Sequence, residues 1–247
     1  MVNAFDYDAL RPNYAPEAVA WVAERGRLGK GSCVVDLAAG TGQLSKRFAV
    51  HGVTLVAVEP ARNMRSVIEE RLPTVRVLEG SAEAIPLPDG AADAVVVGNA
   101  FHHFNEGSAF EEIRRVLRPG GVLAVFWARS ADQEAARYRG LQELEDVVND
   151  VVKGVPAAEE IAIAYRRWVT RPPQVHGFSA FERREFPTTH VVPSARLADL
   201  YATSSNVASL PPAVRADLLL RIQQISRDFP EVLESPARSV VDVCIRE

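Results

Sequence analysis

The stretch VVDLAAGTGQLSKRFA, Val34 to Ala49, decides the fold. Apolar and small residues run on either side of Asp36, the pattern of a strand buried on both faces in a parallel sheet covered by helices. Gly40 and Gly42 follow and let the backbone come close to a neighbour, because glycine has no Cβ and adopts positive φ at no steric cost. Gln43 to Ala49 then reads as a helix whose first free N–H groups face whatever occupies the turn. A nucleotide-like ligand suits that position. Many strand-to-helix turns use glycine for geometry alone, however, so the turn acquires meaning only from its surroundings.

Working outward, helical spacing of Val19, Val22 and Leu28 predicts a helix over Ala15 to Arg27, with Pro16 in its first turn. Strands are predicted at Ser32–Leu37, Thr54–Glu59, Val75–Glu79, Ala94–Gly98 and Gly121–Trp127, with helices at Gln43–His51, Arg62–Leu72 and Gly107–Leu117 between them. Such alternation with short turns predicts an α/β fold with a doubly wound, mostly parallel sheet. Beyond Ala128 the pattern changes to helices near Gln133–Lys153, Ala157–Val169, Ser194–Thr203 and Pro211–Phe229, with late strands at FERREFPTTHVV and Ser239–Ile245. No Pro/Gly-rich linker divides the chain, so a single domain over 1–247 is expected. In it, 1–30 supplies a terminal lid and helix and 31–128 a ligand-binding core. Residues 129–180 and 194–235 form a helical lid over the strand ends, and 181–192 and 238–246 close the sheet.

At 247 residues with 47% hydrophobic content the chain can build a full core. The formal net charge of −4, with no stripe of Lys or Arg, disfavours a nucleic-acid partner. No segment reaches the ~18 apolar residues of a membrane span and the opening carries no signal-peptide pattern, so a cytoplasmic location without membrane contact is expected. Cys33 and Cys244 sit in apolar strands and read as buried reduced thiols. The five histidines show no ligand spacing with Asp, Glu or Cys, so no metal site is expected. A homodimer stays open.

Glu59 ends the second strand about 20 residues after Asp36, the distance at which an acidic side chain grips the hydroxyls of a ribose. A carboxylate there accepts two charge-strengthened hydrogen bonds from a vicinal diol. The alternative is an acid at a helix N-terminus, since a helix begins just past Pro60.

With DLAAGTG, the acid at Glu59, EGSAEAIPLPDGAADAVVVGNAFHHF and EEIRRVLRPGGVLAVFW in place, Asp36 to Trp127 resembles the class I S-adenosylmethionine-dependent methyltransferases without a gap. The opening FDYDALRPNYAPEAV and the later SSNVASLPPAVRADLLL are similar to the small-molecule branch that includes trans-aconitate methyltransferase. The resemblance implies a Rossmann-like seven-stranded sheet, S-adenosyl-L-methionine as cofactor and a small-molecule acceptor, methylated on O or N by in-line displacement. It sets Gly40 and Gly42 against the methionine portion, Glu59 on the ribose, and Ser81 with Ala82 beside the adenine, on which Met64 would pack; Asp36, Ala38, Thr41, Pro60 and Glu83 join them as cofactor-binding residues. Asn99 would face the methionine end, and Tyr7, Arg11 and Tyr14 would fold over the cofactor, Arg11 toward its carboxylate. Ala38 departs from the family's first glycine, a change that narrows the loop, and Ser81 departs from an aspartate.

NAFHHF follows the fourth strand, where acceptor and methyl group should meet. His102 matches a histidine of the branch and His103 stands in place of an aromatic, so both are catalytic candidates, as a base or as a planar wall. Phe101, Trp127, Tyr138, Tyr165 and Trp168 are candidate walls of the acceptor pocket, with ordinary core as the alternative for aromatics at helical spacing. A nicotinamide-dependent oxidoreductase fits less well, because Gln43 and Leu44 follow the loop without a third glycine in register. A cofactor-binding protein of the same fold without methyl transfer also stays open.

Overall fold

The computed structural model describes residues 10–11, 13–130 and 139–247. In chain order the main elements are α1 (Pro16–Gly26), β1 (Cys33–Leu37), α2 (Gln43–Phe48), β2 (Thr54–Val58), α3 (Arg62–Arg71), β3 (Arg76–Leu78), β4 (Ala92–Gly98), α4 (Glu106–Val116) and β5 (Leu117–Ser130). They continue with α5 (Arg139–Lys153), α6 (Pro156–Thr170), β6 (Glu182–Pro193), α7 (Leu197–Ala202), α8 (Ser205–Ala208), α9 (Pro212–Ile225) and β7 (Val232–Ile245).

All seven strands form one sheet in the order β3-β2-β1-β4-β5-β7-β6. The pairs β1–β2, β1–β4, β2–β3 and β4–β5 are parallel. At the far side Gly120 donates to the Arg246 carbonyl and Arg246 to that of Gly121, so the end of β7 meets the start of β5 in the antiparallel sense. The mixed, mostly parallel α/β sheet expected from the sequence is therefore present. Its strand order reverses at β1 and β4, and in such sheets the carboxyl ends on either side of that reversal open a ligand crevice.

Two compact units share the chain. One comprises Tyr14–Ala128, Trp168–Phe186 and Ser239–Glu247; the other draws on the described residues of 1–13, 129–167 and 187–238. The sheet unit buries Val34 and Ala57, Val96 and Ala124 from four neighbouring strands, against Val22 of α1, Phe48 of α2 and Ile68 of α3. Full burial of an aliphatic side chain of this size contributes about 1.5 to 3 kcal/mol, which explains why these strands are apolar on both faces. The helical unit has its own core: Leu144, Val148 and Val152, one turn apart along α5, join Leu218 and Ile222 of α9 and Leu197 of α7. Leu10 is buried in that second core, and its carbonyl lies 2.8 Å from Nε2 of His190.

Several boundaries differ from the sequence reading. Strand β7 begins at Val232 rather than Ser239, because Glu234, Ser235 and Pro236 read as a loop although they continue the strand. Strand β5 begins at Leu117, ahead of the Pro119-Gly120 pair that reads as a turn. The four-residue α8 was not anticipated. Cys33 is only half-buried, whereas Cys244 is buried; both are free thiols. Residues 168–180, expected in the helical insertion, pack with the sheet unit, since Trp168 is 1% exposed among aromatic rings of that unit. Arg183 fixes this segment: it donates to the carbonyls of Trp168, Val169 and Thr170 at the end of α6 and to both oxygens of the fully buried Asp242. Burial pushes the Asp242 carboxyl up, against the opposing pull of Arg183 and a hydrogen bond from Trp127.

Candidate functional site

The turn after β1 places three alternate residues in the left-handed region: Ala38 at φ 55°, Gly40 at φ 57° and Gly42 at φ 81°. The two glycines serve different ends. A Cβ on Gly40 would meet nothing within 4 Å, so this face of the turn is open to a ligand. A Cβ on Gly42 would stand 2.9 Å from Leu72 and 3.2 Å from Ile68, so its smallness serves packing against the segment of α3 rather than the ligand side assigned to it from the sequence. The departure at Ala38 is strained, because a non-glycine residue in this region costs about 1 to 2 kcal/mol. Thr41 is buried.

Asp36 lies beneath the turn and presents no surface to a ligand, contrary to expectation: it is 1% exposed and its Oδ2 accepts from the N–H and the hydroxyl of Ser45, at 2.9 and 2.7 Å. One of the N–H groups expected to face the ligand from α2 is spent on this bond. Burial raises the Asp36 pKa from 3.8 to about 7, against the Ser45 bonds and with a smaller push from the charge of Glu59.

Glu59, at the tip of β2, is 7% exposed and holds two elements at once. Its Oε2 accepts from Gly40 N–H and its Oε1 from Ala61 N–H at the start of α3, both at 2.9 Å. Of the roughly four lone-pair sites on a carboxylate, about two stay available for a diol. Arg65, which the sequence reading missed, donates to the carbonyls of Glu59 and Pro60 and pairs with Glu79 beyond β3. Pro60 is exposed, and Met64 is half-buried in the first turn of α3.

Beyond β3, Ser81 to Ala84 close a tight turn, with Ala84 donating to the Ser81 carbonyl. Gly80 before it is required, since a Cβ there would stand 2.6 Å from Pro86 and 3.0 Å from Val58. Ala82 is buried. Glu83 is engaged rather than turned to a base: its Oε1 accepts from Asn105 N–H at 2.9 Å. Partial burial works to raise its pKa, but bonds from Asn105 N–H, its own N–H and the Ser81 hydroxyl win and hold it below the usual carboxylate range. Glu112 and Arg115 of α4 grip the following segment at Ile85, Leu87 and Asp89. An acid and a base three residues apart on a helix were the available signal for that grip.

At the tip of β4, Asn99 adopts φ 51°. Its Nδ2 donates to the Tyr14 hydroxyl at 3.1 Å and its Oδ1 accepts from Ala128 N–H at 2.9 Å, so the side chain clips β4 to β5 instead of pointing at a ligand's methionine end. Gly98 makes room: its Cβ would lie 2.5 Å from the Tyr14 oxygen. The helical turn Phe101–His103 follows. His102 is half-buried, with its ring centroid 5.8 Å from Trp127 and 3.9 Å from His103. His103 is exposed at its edge, and loss of water around the rest of the ring lowers its pKa below the ordinary imidazole value.

The expected pocket walls are corrected. Phe101, Trp127 and Trp168 are at most 1% exposed and form core. The Phe101 ring centroid lies 4.3 Å from that of Trp168, whose indole N–H donates to Glu106 at 2.9 Å and whose ring packs 6.5 Å from that of Trp127. Tyr165 and Arg11 belong to the helical unit, where Arg11 donates to the Thr203 carbonyl. Tyr7 and Tyr138 lie outside the described residues. Among the described residues no group of three or more His, Cys, Asp or Glu could hold a metal ion.

The tips of β1, β2 and β3 thus carry an open turn at Gly40, a carboxylate with spare lone pairs and the Ser81 hydroxyl, and two imidazoles follow β4. This polar array suits a nucleoside with a free diol. Residues 35–125 match the methyltransferase domain family. An uncharacterized methyltransferase of Mycobacterium tuberculosis is 34% identical over 242 residues, spanning 97% of this chain and 91% of that protein. A methyltransferase-like protein of Schizosaccharomyces pombe is 28% identical over 92% of this chain and 85% of its own length. The solved structure of a proposed type II methyltransferase from Anaeromyxobacter dehalogenans covers 96% of both chains with a TM-score of 0.61 at 24% identity, a likeness of fold.

Two substitutions read the turn. Ala38→Gly should leave stability unchanged or raise it by up to about 1 kcal/mol in urea unfolding, relief of the left-handed strain offsetting the greater freedom of the unfolded chain; a loss of about 1 kcal/mol, as for a helical Ala→Gly, would count against the strain. Asp36 has a raised folded pKa, so its charge destabilises the native state increasingly as pH climbs from about 4 to about 7. Asp36→Asn removes that titration, and its stability relative to wild type should improve by about 2 to 3 kcal/mol between pH 5 and pH 8. Parallel pH profiles for the two proteins would contradict the assignment.

Proposed function

Because the chain belongs to the class I S-adenosylmethionine-dependent methyltransferases, we propose that it methylates a small molecule on oxygen or nitrogen, with Gly40, Glu59 and Ser81 holding the cofactor. The observation that carries this reading is the Glu59 carboxylate, bonded to the open Gly40 turn while keeping lone pairs for a diol. S-adenosylmethionine supplies an electrophilic methyl group on a sulfonium, so the transfer is a displacement at carbon. The protein's task is then alignment and exclusion of water, for which good orientation alone can supply about 7 to 11 kcal/mol of the barrier. Glu59 would accept from the ribose hydroxyls, and Ser81 from the adenine amino group. The mildly acidic surface, without a basic stripe, favours a small acceptor over a nucleic acid. Small-molecule chemistry of this kind suits the cytoplasm, and among the described residues no helix is long and apolar enough to cross a membrane.

His102 and His103 flank the place where acceptor and methyl group meet on this reading. A carboxylate acceptor is already nucleophilic at neutral pH, whereas a phenol, alcohol or ammonium needs a base. His103 stands in an aromatic's place, and we assign it to shaping the site. His103→Gln should then act through acceptor affinity, with turnover at saturating acceptor reduced less than tenfold. A base would instead lose about 10² to 10⁴ in turnover, and the lowered pKa of His103 would set the wild-type inflection below pH 6.5.

Titration calorimetry with S-adenosylhomocysteine tests the cofactor site. The expected dissociation constant is micromolar or tighter, about 8 kcal/mol, and Glu59→Ala should weaken it by about 1.5 to 3 kcal/mol while loosening the Gly40 turn. Tight binding of NADH with no response to the sulfur ligand would sink the reading.

A further inference from the structure

Arg65 runs against the preference of its position. It sits in the first turn of α3, where the helix dipole disfavours a cation, and that turn also holds Arg62 and no acid. Side chains of a helix lean toward its N-terminus, so from this place the guanidinium reaches back over the tip of β2. The Arg65 side chain is only 12% exposed. Its Nη1 donates to two successive carbonyls, Glu59 at 3.0 Å and Pro60 at 2.6 Å, and its Nη2 pairs with Glu79 just past β3. Both carbonyls lie between the last rung of β2 at Val58 and Ala61, whose own carbonyl accepts from the Arg65 N–H as α3 begins.

The Pro60 carbonyl is one end of a peptide group whose other end is the Ala61 N–H, and that N–H donates to Glu59 Oε1 at 2.9 Å. The peptide is trans and planar, so a cation that holds its oxygen also fixes the direction of its hydrogen. The bond gains strength as well, because an amide polarised at its carbonyl by a charge is a better donor at its N–H. Contacts therefore run from guanidinium to peptide to carboxylate. The Glu59 carbonyl, held by the same nitrogen, steadies the backbone from which that carboxylate side chain departs. Together they set the direction of the lone pairs that Glu59 has left. Glu79 contributes less, since an ion pair with an exposed carboxylate is screened by water.

Resting on the cofactor reading, we infer that Arg65 is a positioning residue of the nucleoside site: through the Pro60–Ala61 peptide it aims the Glu59 carboxylate, and so raises affinity for a ligand with a free vicinal diol, without touching that ligand.

Titration calorimetry with S-adenosylhomocysteine on the purified full chain, run as a double-mutant cycle, reads this relay. Arg65→Met keeps the buried stem and removes the donors, and binding should weaken at least fivefold. In a Glu59→Ala background the same change should weaken binding less than twofold, because no carboxylate is left to aim. In the ligand-free protein the Ala61 amide should exchange at least tenfold faster in Arg65→Met, while amides of β1 and β4 keep their protection. Arg65→Lys keeps stem and charge without the planar fork and should also lose at least threefold, which carries the test if the Met variant fails to fold. Glu79→Gln should stay within twofold of wild type. A loss under fivefold in Arg65→Met, an equal loss with and without Glu59, an unchanged Ala61 amide, full rescue by lysine, or a Glu79→Gln loss as large as that of Arg65→Met would overturn the inference and leave the cofactor reading in place. Failure of wild type to bind the ligand would overturn both.

Discussion

The Glu59 carboxylate ties the site together. Strand tips in a parallel sheet end in turns whose backbone N–H groups have no partner in the sheet, and a turn built from left-handed residues has no helix to stabilise it. One side chain at the tip of β2 meets both needs, accepting from Gly40 in the turn after β1 and from Ala61 at the start of α3. Each bond to a charged acceptor is worth about 1.5 to 3 kcal/mol, comparable to the cost of holding Ala38 at positive φ. The strain at Ala38 and Asn99 is thus offset by bonds that cross between strands, and both strained residues sit where the strand order reverses.

A second consequence concerns charge. Two carboxylates lie within this small region: Glu59 is fastened by backbone donors, whereas Asp36 is buried beneath the turn and accepts from the N–H and hydroxyl of Ser45. The loss of water, with a smaller push from the like charge of Glu59, moves Asp36 toward the protonated form near neutral pH. The acid that opens the glycine motif is therefore part of the foundation of the turn, and the acid 23 positions later in EPARNM is the one with capacity left for a ligand.

Much of this was legible in the sequence because its signals are local and periodic. The apolar runs at Val34–Leu37 and Ala94–Val97 announce doubly buried strands, and helix α4 shows Ala109, Phe110, Ile113 and Val116 on one face. The resemblance over Asp36 to Trp127 gave the seven-stranded sheet and the cofactor. Other features were not legible, since they depend on where side chains meet across the fold. Gly40 and Gly42 are alike in the sequence, yet only Gly40 has open space beside it. Trp127 and Trp168 read equally as wall or core, and their burial, with the Trp168 indole bonded to Glu106, decides for core. The acceptor-facing residues stayed dark, because the second half of the chain has little pattern beyond helical periodicity.

The central claim is that Glu59 organises the turn before any ligand arrives. Amide hydrogen exchange at Gly40 and Ala61 in the ligand-free protein addresses it directly. Both amides should exchange at least about a hundredfold more slowly than in an unstructured chain, and both should lose that protection together in Glu59→Ala while amides of β1 and β4 keep theirs. Gly40 exchanging at unstructured rates in the ligand-free wild type, with protection appearing only when S-adenosylhomocysteine is added, would contradict the account.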